Sequence, residues 1–174
     1  MDKKVAGLVD RHTIEAIDVL GPTIQFLSSD ERDNEPCVMR GIIPPGVAVP
    51  LHSHAEPETF IAISGRIEGL READGNFEWL PIGPGDVFHV PGWARHAFRN
   101  QSKEPAELIV AAPASIGRFF REIGTPVIPG VRPAPPSAKV IQRFMAAADR
   151  YGHWNATPEE NARMESSSIR QASE

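Results

Sequence analysis

Cysteine occurs only once among the 174 residues of this chain, at Cys37. A single cysteine cannot form an internal disulfide, which favours a reducing compartment. An excess of positive charge is also missing, because 18 lysines and arginines stand against 23 aspartates and glutamates, for a formal net charge of −5. This balance gives no electrostatic reason to expect nucleic acid or an anionic membrane as a partner.

Long apolar runs are absent as well. No segment approaches the roughly 20 apolar residues of a membrane span, and the N-terminus MDKKVAGLVDRH has no apolar stretch of signal-peptide length. The content of 41% hydrophobic and 24% charged residues is typical of a globular protein with one domain and appended elements. We therefore expect a soluble, cytoplasmic protein.

Turn signals are frequent between residues 23 and 113, and the segments between them are short. Proline and glycine interrupt strand pairing, so each such group ends a predicted strand. The main signals lie at 44–46, 55–57, 64–65, 73–76, 81–85 and 91–92. This pattern predicts an all-β barrel or sandwich, without an internal repeat and without a long helix before Pro113.

Helical patterns begin after Pro113. Ser115 is predicted to cap a short helix that ends at Gly124. Apolar residues at helical spacing predict an amphipathic helix over 137–151, which Gly152 ends.

Three regions follow from these patterns. They are an N-terminal extension at 1–22, the barrel at 23–113, and a proline-rich, helical C-terminal extension at 114–174 that packs on the barrel or on a partner chain. Within the last region, 126–136 is predicted to be a stiff connector. Thr157-Pro158-Glu159-Glu160 has the signature of a further helix start. The final ten residues are expected to be frayed and flexible.

Three metal-ligand types, His52, His54 and Glu58, lie in the segment GVAVPLHSHAEPETFIAISG at 46–65. Side chains two apart on a strand point to the same face, with Cα atoms roughly 6.5 Å apart, so both imidazoles can reach one ion. After the break at 55–57 the chain can return with Glu58 on a neighbouring strand. One ion can therefore bind all three residues.

A second segment, 85–100, supplies the fourth ligand type. It has a glycine entry, a strand, a Pro91-Gly92 turn, and His96 at the start of the next strand. Three imidazoles and one carboxylate suit iron, nickel, copper, zinc, cobalt or manganese, whereas calcium needs more oxygen ligands. We therefore predict a site for one divalent transition metal ion.

The two segments together resemble the cupin superfamily. The first family motif, G-x5-H-x-H-x3,4-E-x6-G, is matched by Gly46, His52, His54, Glu58 and Gly65. The second, G-x5-P-x-G-x2-H-x3-N, is matched by Gly85, Pro91, His96 and Asn100. One position departs, since the second glycine of that motif falls on Trp93 and a glycine stands one place earlier. The resemblance implies a double-stranded β-helix, or jelly-roll, barrel with C-terminal α-helices outside it.

Aromatic residues beside the predicted ligands have two interpretations. Phe60 and Phe98 follow Glu58 and His96 by two residues, so they share strand faces with those ligands and line an apolar substrate cavity. Core packing explains both phenylalanines equally well. Trp93 is predicted to reach the cavity mouth.

The remaining candidates carry weaker signals. Glu56 is interpreted as a solvated loop carboxylate or a group at the cavity rim, with contact to metal or substrate as the alternative. His89 is interpreted as a packed strand residue or a group that supports a ligand. His12 and His153 lie in segments without supporting ligands. The alternative for the four ligand types themselves is a structural polar cluster without a metal, although burying such groups unpaired is costly.

A metal in an apolar barrel with one adjacent carboxylate suits a substrate that carries a hydroxyl next to a carbonyl, with Glu58 as the base that takes the hydroxyl proton. The segment RFFREIG at 118–124 and the tail around 149–152 are similar to bacterial quercetin dioxygenase-like cupins. This second resemblance implies cleavage of a flavonol or a related aromatic enol by oxygen.

Two other functions remain open. One is a non-oxidative cupin that isomerises or cleaves a sugar or keto acid, or that binds a small ligand; inward-pointing Arg40, Arg66 and Gln25 would favour it. The other is a protein that has lost catalysis and serves as a sensor or a storage-type fold, in which the metal is structural. In each case we expect a small-molecule ligand and a homodimer.

Overall fold

A computed structural model describes residues 6–10, 12–128, 130–131 and 135–171, with the side chains of 165–171 left undescribed. Within this part of the chain the strands are β1 Ala16–Asp18, β2 Thr23–Phe26, β3 Pro36–Ile43, β4 Ala48–Ser53, β5 Glu58–Ser64, β6 Ile67–Ala73, β7 Asn76–Ile82, β8 Val87–Val90, β9 His96–Arg99, β10 Ala106–Pro113, β11 Thr125–Pro126 and β12 Trp154–Asn155. The helices are α1 Ala114–Ile123, α2 Ala138–Tyr151 and α3 Pro158–Gln171.

The strands of the described chain form two antiparallel sheets. One has the order β11-β1-β2-β3-β10-β5-β8, and the other has the order β12-β4-β9-β6-β7. The predicted all-β architecture with C-terminal helices is therefore confirmed. Strands β1, β11 and β12 were not predicted, because each is only two or three residues long and has no alternating pattern.

Alternation of side chains builds the core between the sheets. Every second residue is buried along β3 and β10, as the two-residue period of a strand with one buried face requires. The inward residues include Met39, Leu108 and Val110, which pack against Phe60 and Phe98 from β5 and β9. Burying this apolar surface is the main stabilising contribution to the barrel.

The start of α1 corrects one prediction. Pro113, not Ser115, is the N-cap residue, and no side chain caps this helix. The Ser115 hydroxyl is directed elsewhere and donates a hydrogen bond of 2.9 Å to Glu56 Oε1. Gly124 ends the helix as predicted, but in an extended conformation.

The later helices begin and end as their capping residues predict. Ser137 accepts a hydrogen bond from the Val140 amide at the start of α2, and Gly152 ends that helix in the left-handed conformation. Thr157 and Glu160 form a reciprocal capping box before α3. Helix α3 extends to Gln171. Residues 172–174 at the chain end, and 129 and 132–134 of the connector, lie outside the described residues, so the frayed end and the stiff connector stay predictions.

The helices of the C-terminal extension pack against each other, and α3 is hydrogen-bonded to the barrel. Phe119 of α1 packs in a small core with Ala147 and Ala148 of α2. Asn161 of α3 accepts a 2.9 Å hydrogen bond from the backbone amide of Leu51 in β4. None of the helices that the structure describes is long and apolar enough to cross a membrane.

Candidate functional site

The first two histidines of the site come from the end of β4. His52 is on the strand, and His54 follows its last residue, with 5.6 Å between the two ring centroids. His54 is buried, and its Nε2 lies 3.2 Å from Glu58 Oε2. Glu58 opens β5 after the predicted break at 55–57, so the chain reversal brings the carboxylate back to the two imidazoles.

His96 enters from the adjacent strand. It opens β9 and is the direct antiparallel partner of His52, with ring centroids 4.1 Å apart. Its side chain is buried, and its Nε2 lies 3.4 Å from the same Glu58 oxygen. A shared carboxylate oxygen therefore lies close to the ring nitrogens of both His54 and His96.

Backbone carbonyls set the orientation of two rings. His52 Nδ1 lies 2.8 Å from the Pro50 carbonyl oxygen, and His96 Nδ1 lies 2.9 Å from that of Ala94. A carbonyl oxygen only accepts hydrogen bonds, so each Nδ1 carries the proton and donates it. Each Nε2 is thereby left as the lone-pair nitrogen.

The electrostatics of the cluster follow from burial and close contact. Burial alone raises the pKa of Glu58, but the hydrogen bond from His54 and the close approach of the His96 ring outweigh it and lower the pKa to about 2. Burial, helped by the charge of His96, lowers the pKa of His52 to about 3. For His54, burial lowers the pKa, but the hydrogen bond and charge of Glu58 outweigh it, so the pKa is raised.

The donor set fits a divalent transition metal ion. One ligand atom from each of the four residues can be chosen so that all of them lie within 4.8 Å of one another. His96 Nε2 is buried and makes no hydrogen bond to any described residue, although a buried nitrogen of this kind normally has a partner. The four residues are therefore a group that can hold one metal ion.

Phenylalanines border this group on its inner side. The Phe98 ring lies 6.0 Å from the His96 ring, 4.6 Å from the Phe60 ring and 5.4 Å from the Phe88 ring, measured between centroids. Phe60 and Phe98 are buried in the main core. The ligands therefore adjoin an apolar, aromatic layer.

Trp93 lies on the surface of the turn between β8 and β9. Its side chain is 63% exposed, and its backbone has a φ of 67°, in the left-handed region that favours glycine. Its amide donates a 2.6 Å hydrogen bond to the His54 carbonyl oxygen. At the preceding position, a Cβ on Gly92 would collide with the Ala55 carbonyl oxygen. The turn thus needs glycine at 92 for space, and position 93 adopts the left-handed conformation.

Two residues near the ligands were missed or underrated from the sequence. Glu56 is not the freely solvated carboxylate that was one of its two interpretations, because its side chain is only 18% exposed and accepts the hydrogen bond from Ser115. Its other interpretation, a group at the cavity rim, stays a prediction. His153, which follows α2, lies with its ring centroid 4.8 Å from that of His54. No local pattern signals His153, since about a hundred residues separate it from its neighbour.

The other histidines lie away from the group. His89 is exposed on β8 and forms a 3.0 Å hydrogen bond with Thr59, so the prediction that it packs inside is wrong. His12 is exposed in the N-terminal segment.

The chain matches one family model, described as Cupin domain, over residues 39–112. This range contains all four ligand-type residues and both motifs.

Curated relatives and a solved structure each match a part of the chain. A 76-residue segment is 34% identical to glucose-6-phosphate isomerase of Thermococcus kodakarensis and covers 41% of this chain and 40% of that protein. A 103-residue segment is 29% identical to quercetin 2,3-dioxygenase of Bacillus subtilis and covers 59% of this chain and 29% of that protein. The chain therefore spans less than half the length of these relatives. A crystal structure described as a predicted oxalate decarboxylase from Thermotoga maritima is 25% identical with a TM-score of 0.50, over 62% of this chain and 98% of that chain.

Proposed function

We propose, from the premise that residues 39–112 form a cupin domain, that this protein is a metal-dependent, quercetinase-like dioxygenase. Its proposed substrates are O2 and a small aromatic or enolic molecule with a hydroxyl beside a carbonyl. The observation that carries the proposal is a single buried carboxylate, Glu58, set among three histidines and beside an aromatic layer.

The proposed metal ligands are His52, His54, Glu58 and His96. The ion is iron, nickel, copper, manganese, cobalt or zinc, since this mixed set of imidazoles and one carboxylate suits each of them. When bound, such an ion acts as a Lewis acid that lowers the pKa of a hydroxyl group chelated beside a carbonyl.

Glu58 is the proposed base. Its low pKa keeps the carboxylate ionised at neutral pH, so it can accept a proton. A carboxylate of such low pKa is a weak base in water, and it serves here only for a hydroxyl that is already acidified. Removal of that proton leaves an electron-rich enolate, which is the form of the substrate that reacts with oxygen.

Phe60 and Phe98 are the proposed wall for the aromatic part of the substrate. Their contact with each other, and the contact of Phe98 with the His96 ring, support an apolar site that excludes water. In the proposed reaction both atoms of O2 enter the products and carbon–carbon bonds of the enol break. The substrate supplies the electrons, so no external reductant is consumed.

A non-oxidative function on a sugar or keto acid is the second candidate, and the 34% identity to the Thermococcus isomerase favours it. An anionic substrate needs inward-pointing cations, but Arg40 lies on the outer face of β3, where it donates to Glu107 and Gln25. Arg66 lines a surface cleft with Ser102. Ser102 follows the last residue of β9, whereas His96 is the first residue of that strand. These orientations support the oxidative candidate.

The deciding experiment measures oxygen consumption. Protein is purified without added metal, its metal content is determined, and samples reconstituted with each of the six ions are given flavonols and aromatic diketones in an oxygen electrode. Consumption that depends on metal and is lost in His96→Ala supports the dioxygenase. Loaded protein that consumes no oxygen across this panel but interconverts an aldose phosphate and a ketose phosphate would favour the isomerase.

The proposal includes a homodimer in the cytoplasm. An apolar patch on β5 and the edge strand β8 supports the dimer, because Ile61, Ile63 and Val87 are 37%, 48% and 60% exposed. Light scattering of the intact chain and of Val87→Lys tests it. A monomeric wild-type protein would contradict this part of the proposal.

A further inference from the structure

Three buried polar atoms beside the ligand group have no hydrogen-bond partner among the described residues. They are His54 Nδ1, Glu56 Oε2 and His153 Nε2. Buried polar atoms normally are paired, and the cost of leaving one unpaired is substantial. Glu56 Oε2 lies 3.8 Å from His54 Nδ1, the ring nitrogen that is not directed at Glu58, and the His153 ring lies 4.8 Å from the His54 ring. This proximity indicates a function for these residues.

The proton on His54 is the first step of the argument. In the structure His54 Nε2 lies 3.2 Å from Glu58 Oε2, and an ionised carboxylate only accepts, so Nε2 carries a proton. A nitrogen that carries a proton cannot bind a metal ion. For Nε2 to be a ligand, the imidazole must lose the proton on Nε2. The neutral ring then carries its one proton on Nδ1, on the opposite side.

Glu56 is positioned to receive that Nδ1 proton in a hydrogen bond. Its Oε2 lies 3.8 Å from His54 Nδ1, a gap that a shift of less than 1 Å closes to hydrogen-bond length. Its other oxygen, Oε1, is held by the Ser115 hydroxyl at 2.9 Å. Ser115 is thus free for Glu56 because it does not cap α1.

The C-terminal extension closes this side of the site. The His153 ring lies 4.2 Å from the Phe119 ring and 4.8 Å from the His54 ring. The His153 ring thus packs against His54, whose side chain is only 3% exposed, and a hydrogen bond to a charged group is stronger where water is excluded.

We propose that Glu56, anchored by Ser115, is a positioning residue that accepts a hydrogen bond from His54 Nδ1–H and so presents Nε2 to the metal ion. This inference rests on the proposed metal site. It assigns a role to residues that match no motif position, one of which, Ser115, lies outside the cupin domain. The rival acceptor for the same proton is the backbone carbonyl of Glu56, which is also close to the His54 ring.

The test observes the histidine proton directly. Protein labelled with ¹⁵N in histidine is studied by two-bond ¹H–¹⁵N correlation spectra, metal-free and loaded with diamagnetic zinc, and zinc affinity is measured by competition with a chromophoric chelator. In wild-type protein the zinc-loaded spectrum is expected to show His54 with the proton on Nδ1, shifted downfield and slow to exchange. Glu56→Ala is expected to move that signal upfield, to speed its exchange, and to weaken zinc binding about 10- to 100-fold.

Matched variants separate the alternatives. Glu56→Gln keeps an oxygen acceptor and nearly the same shape, so we expect a partial loss of zinc affinity. This variant keeps the proposal testable if Glu56→Ala folds poorly. Ser115→Ala is expected to weaken zinc binding by a smaller factor, and Glu31→Ala, the same change on an exposed loop, to leave it unchanged. His153→Phe keeps a ring in place and is expected to retain affinity within about twofold.

Each outcome supports or overturns the proposal. Glu56→Ala with wild-type affinity and an unchanged Nδ1–H signal would assign the role to the backbone carbonyl. If His153→Phe loses as much zinc affinity as Glu56→Ala, the role of orienting His54 would belong to His153. Wild-type protein that binds no zinc or other ion would overturn both this inference and the proposed function. If Glu56→Ala weakens zinc binding and shifts the Nδ1–H signal as expected, but the wild-type protein consumes no oxygen, this inference stands. Only the dioxygenase proposal is then overturned.

Discussion

His52 and His96 are register partners on neighbouring antiparallel strands, and their rings lie 4.1 Å apart. Each ring donates from Nδ1 to a carbonyl oxygen two residues earlier in the chain, at Pro50 and at Ala94. Two imidazoles are therefore oriented by their own strands and by strand pairing. This preorganisation lowers the entropy cost of gathering ligands around an ion.

Replacement of His96 by alanine is expected to abolish metal binding. The variant removes a buried nitrogen next to Glu58 and leaves only one of the two paired imidazoles. We expect metal content of the purified protein to fall close to zero, and zinc affinity to fall by more than about 100-fold, beyond the effect typical of residues that only support a ligand. Elemental analysis and chelator competition measure both quantities.

His89→Ala is the control for that experiment, because it removes an exposed histidine from β8 whose side chain hydrogen-bonds, among the described residues, to Thr59. It is expected to keep the metal. Full metal retention in His96→Ala would contradict the proposed site in both its oxidative and its non-oxidative forms.

Trp93→Gly is expected to stabilise the protein. The left-handed conformation at this position costs a residue with a Cβ about 1 kcal/mol, and the exposed indole offers little packing in return. We expect the melting temperature to rise by about 2–4 °C. Trp93→Ala keeps the Cβ and so separates strain from loss of the indole; equal stability of the two variants would show that strain is not the cause.

The same pair of variants tests the proposed contact between Trp93 and the substrate. If the indole reaches the cavity mouth, KM for an aromatic substrate rises in both variants while kcat changes little. Unchanged KM in both would remove Trp93 from the substrate site.

Asn100→Asp is expected to destabilise the fold by roughly 3 kcal/mol at neutral pH. Asn100 is buried and directly follows the last residue of β9. Its side-chain amide nitrogen donates hydrogen bonds to the carbonyl oxygens of Ile43 and Glu104, at 2.8 and 2.9 Å. An aspartate would place an acceptor against two acceptors. Urea denaturation measures the loss.

Ser102→Ala is the milder comparison, because it removes one hydroxyl donor to the Asn100 side-chain oxygen and is expected to cost about 1 kcal/mol. If Asn100→Asp proves as stable as the wild-type protein, the motif asparagine has no structural role of this kind.

The sequence predicts those parts of the site that depend on local geometry. His52 and His54 share a face by strand period, and turn residues return Glu58 to them, so spacing alone indicates the cluster. The fold class follows in the same way from short strands between frequent turns.

The parts that the sequence does not predict depend on distant packing. His153 meets His54 only because Phe119 and α2 place the C-terminal segment against the barrel, and no periodicity over a hundred residues encodes this contact. Ser115 has the residue type of a helix cap, but its hydroxyl bonds to Glu56, since tertiary contacts override a local preference.

The pH dependence of stability is expected to depend on Cys37 at alkaline pH. Burial, followed by the nearby charge of Asp30, raises the pKa of this thiol from 9.0 to about 11. The folded protein therefore holds the thiol proton at pH values where the unfolded chain has lost it. The contribution to the free energy of unfolding is fully present below pH 9, and it is lost as the pH rises through 9 to 11.

Cys37→Ala isolates this effect. Other groups titrate equally in both proteins, so the difference between the two unfolding free energies is expected to shrink by about 2 kcal/mol between pH 8 and pH 11. The variant is less stable at pH 8 because it loses the packed sulfur atom, which lies close to Gly117. Urea denaturation at both pH values measures the change, and a constant difference between the two proteins would mean that the thiol titrates normally in the folded state.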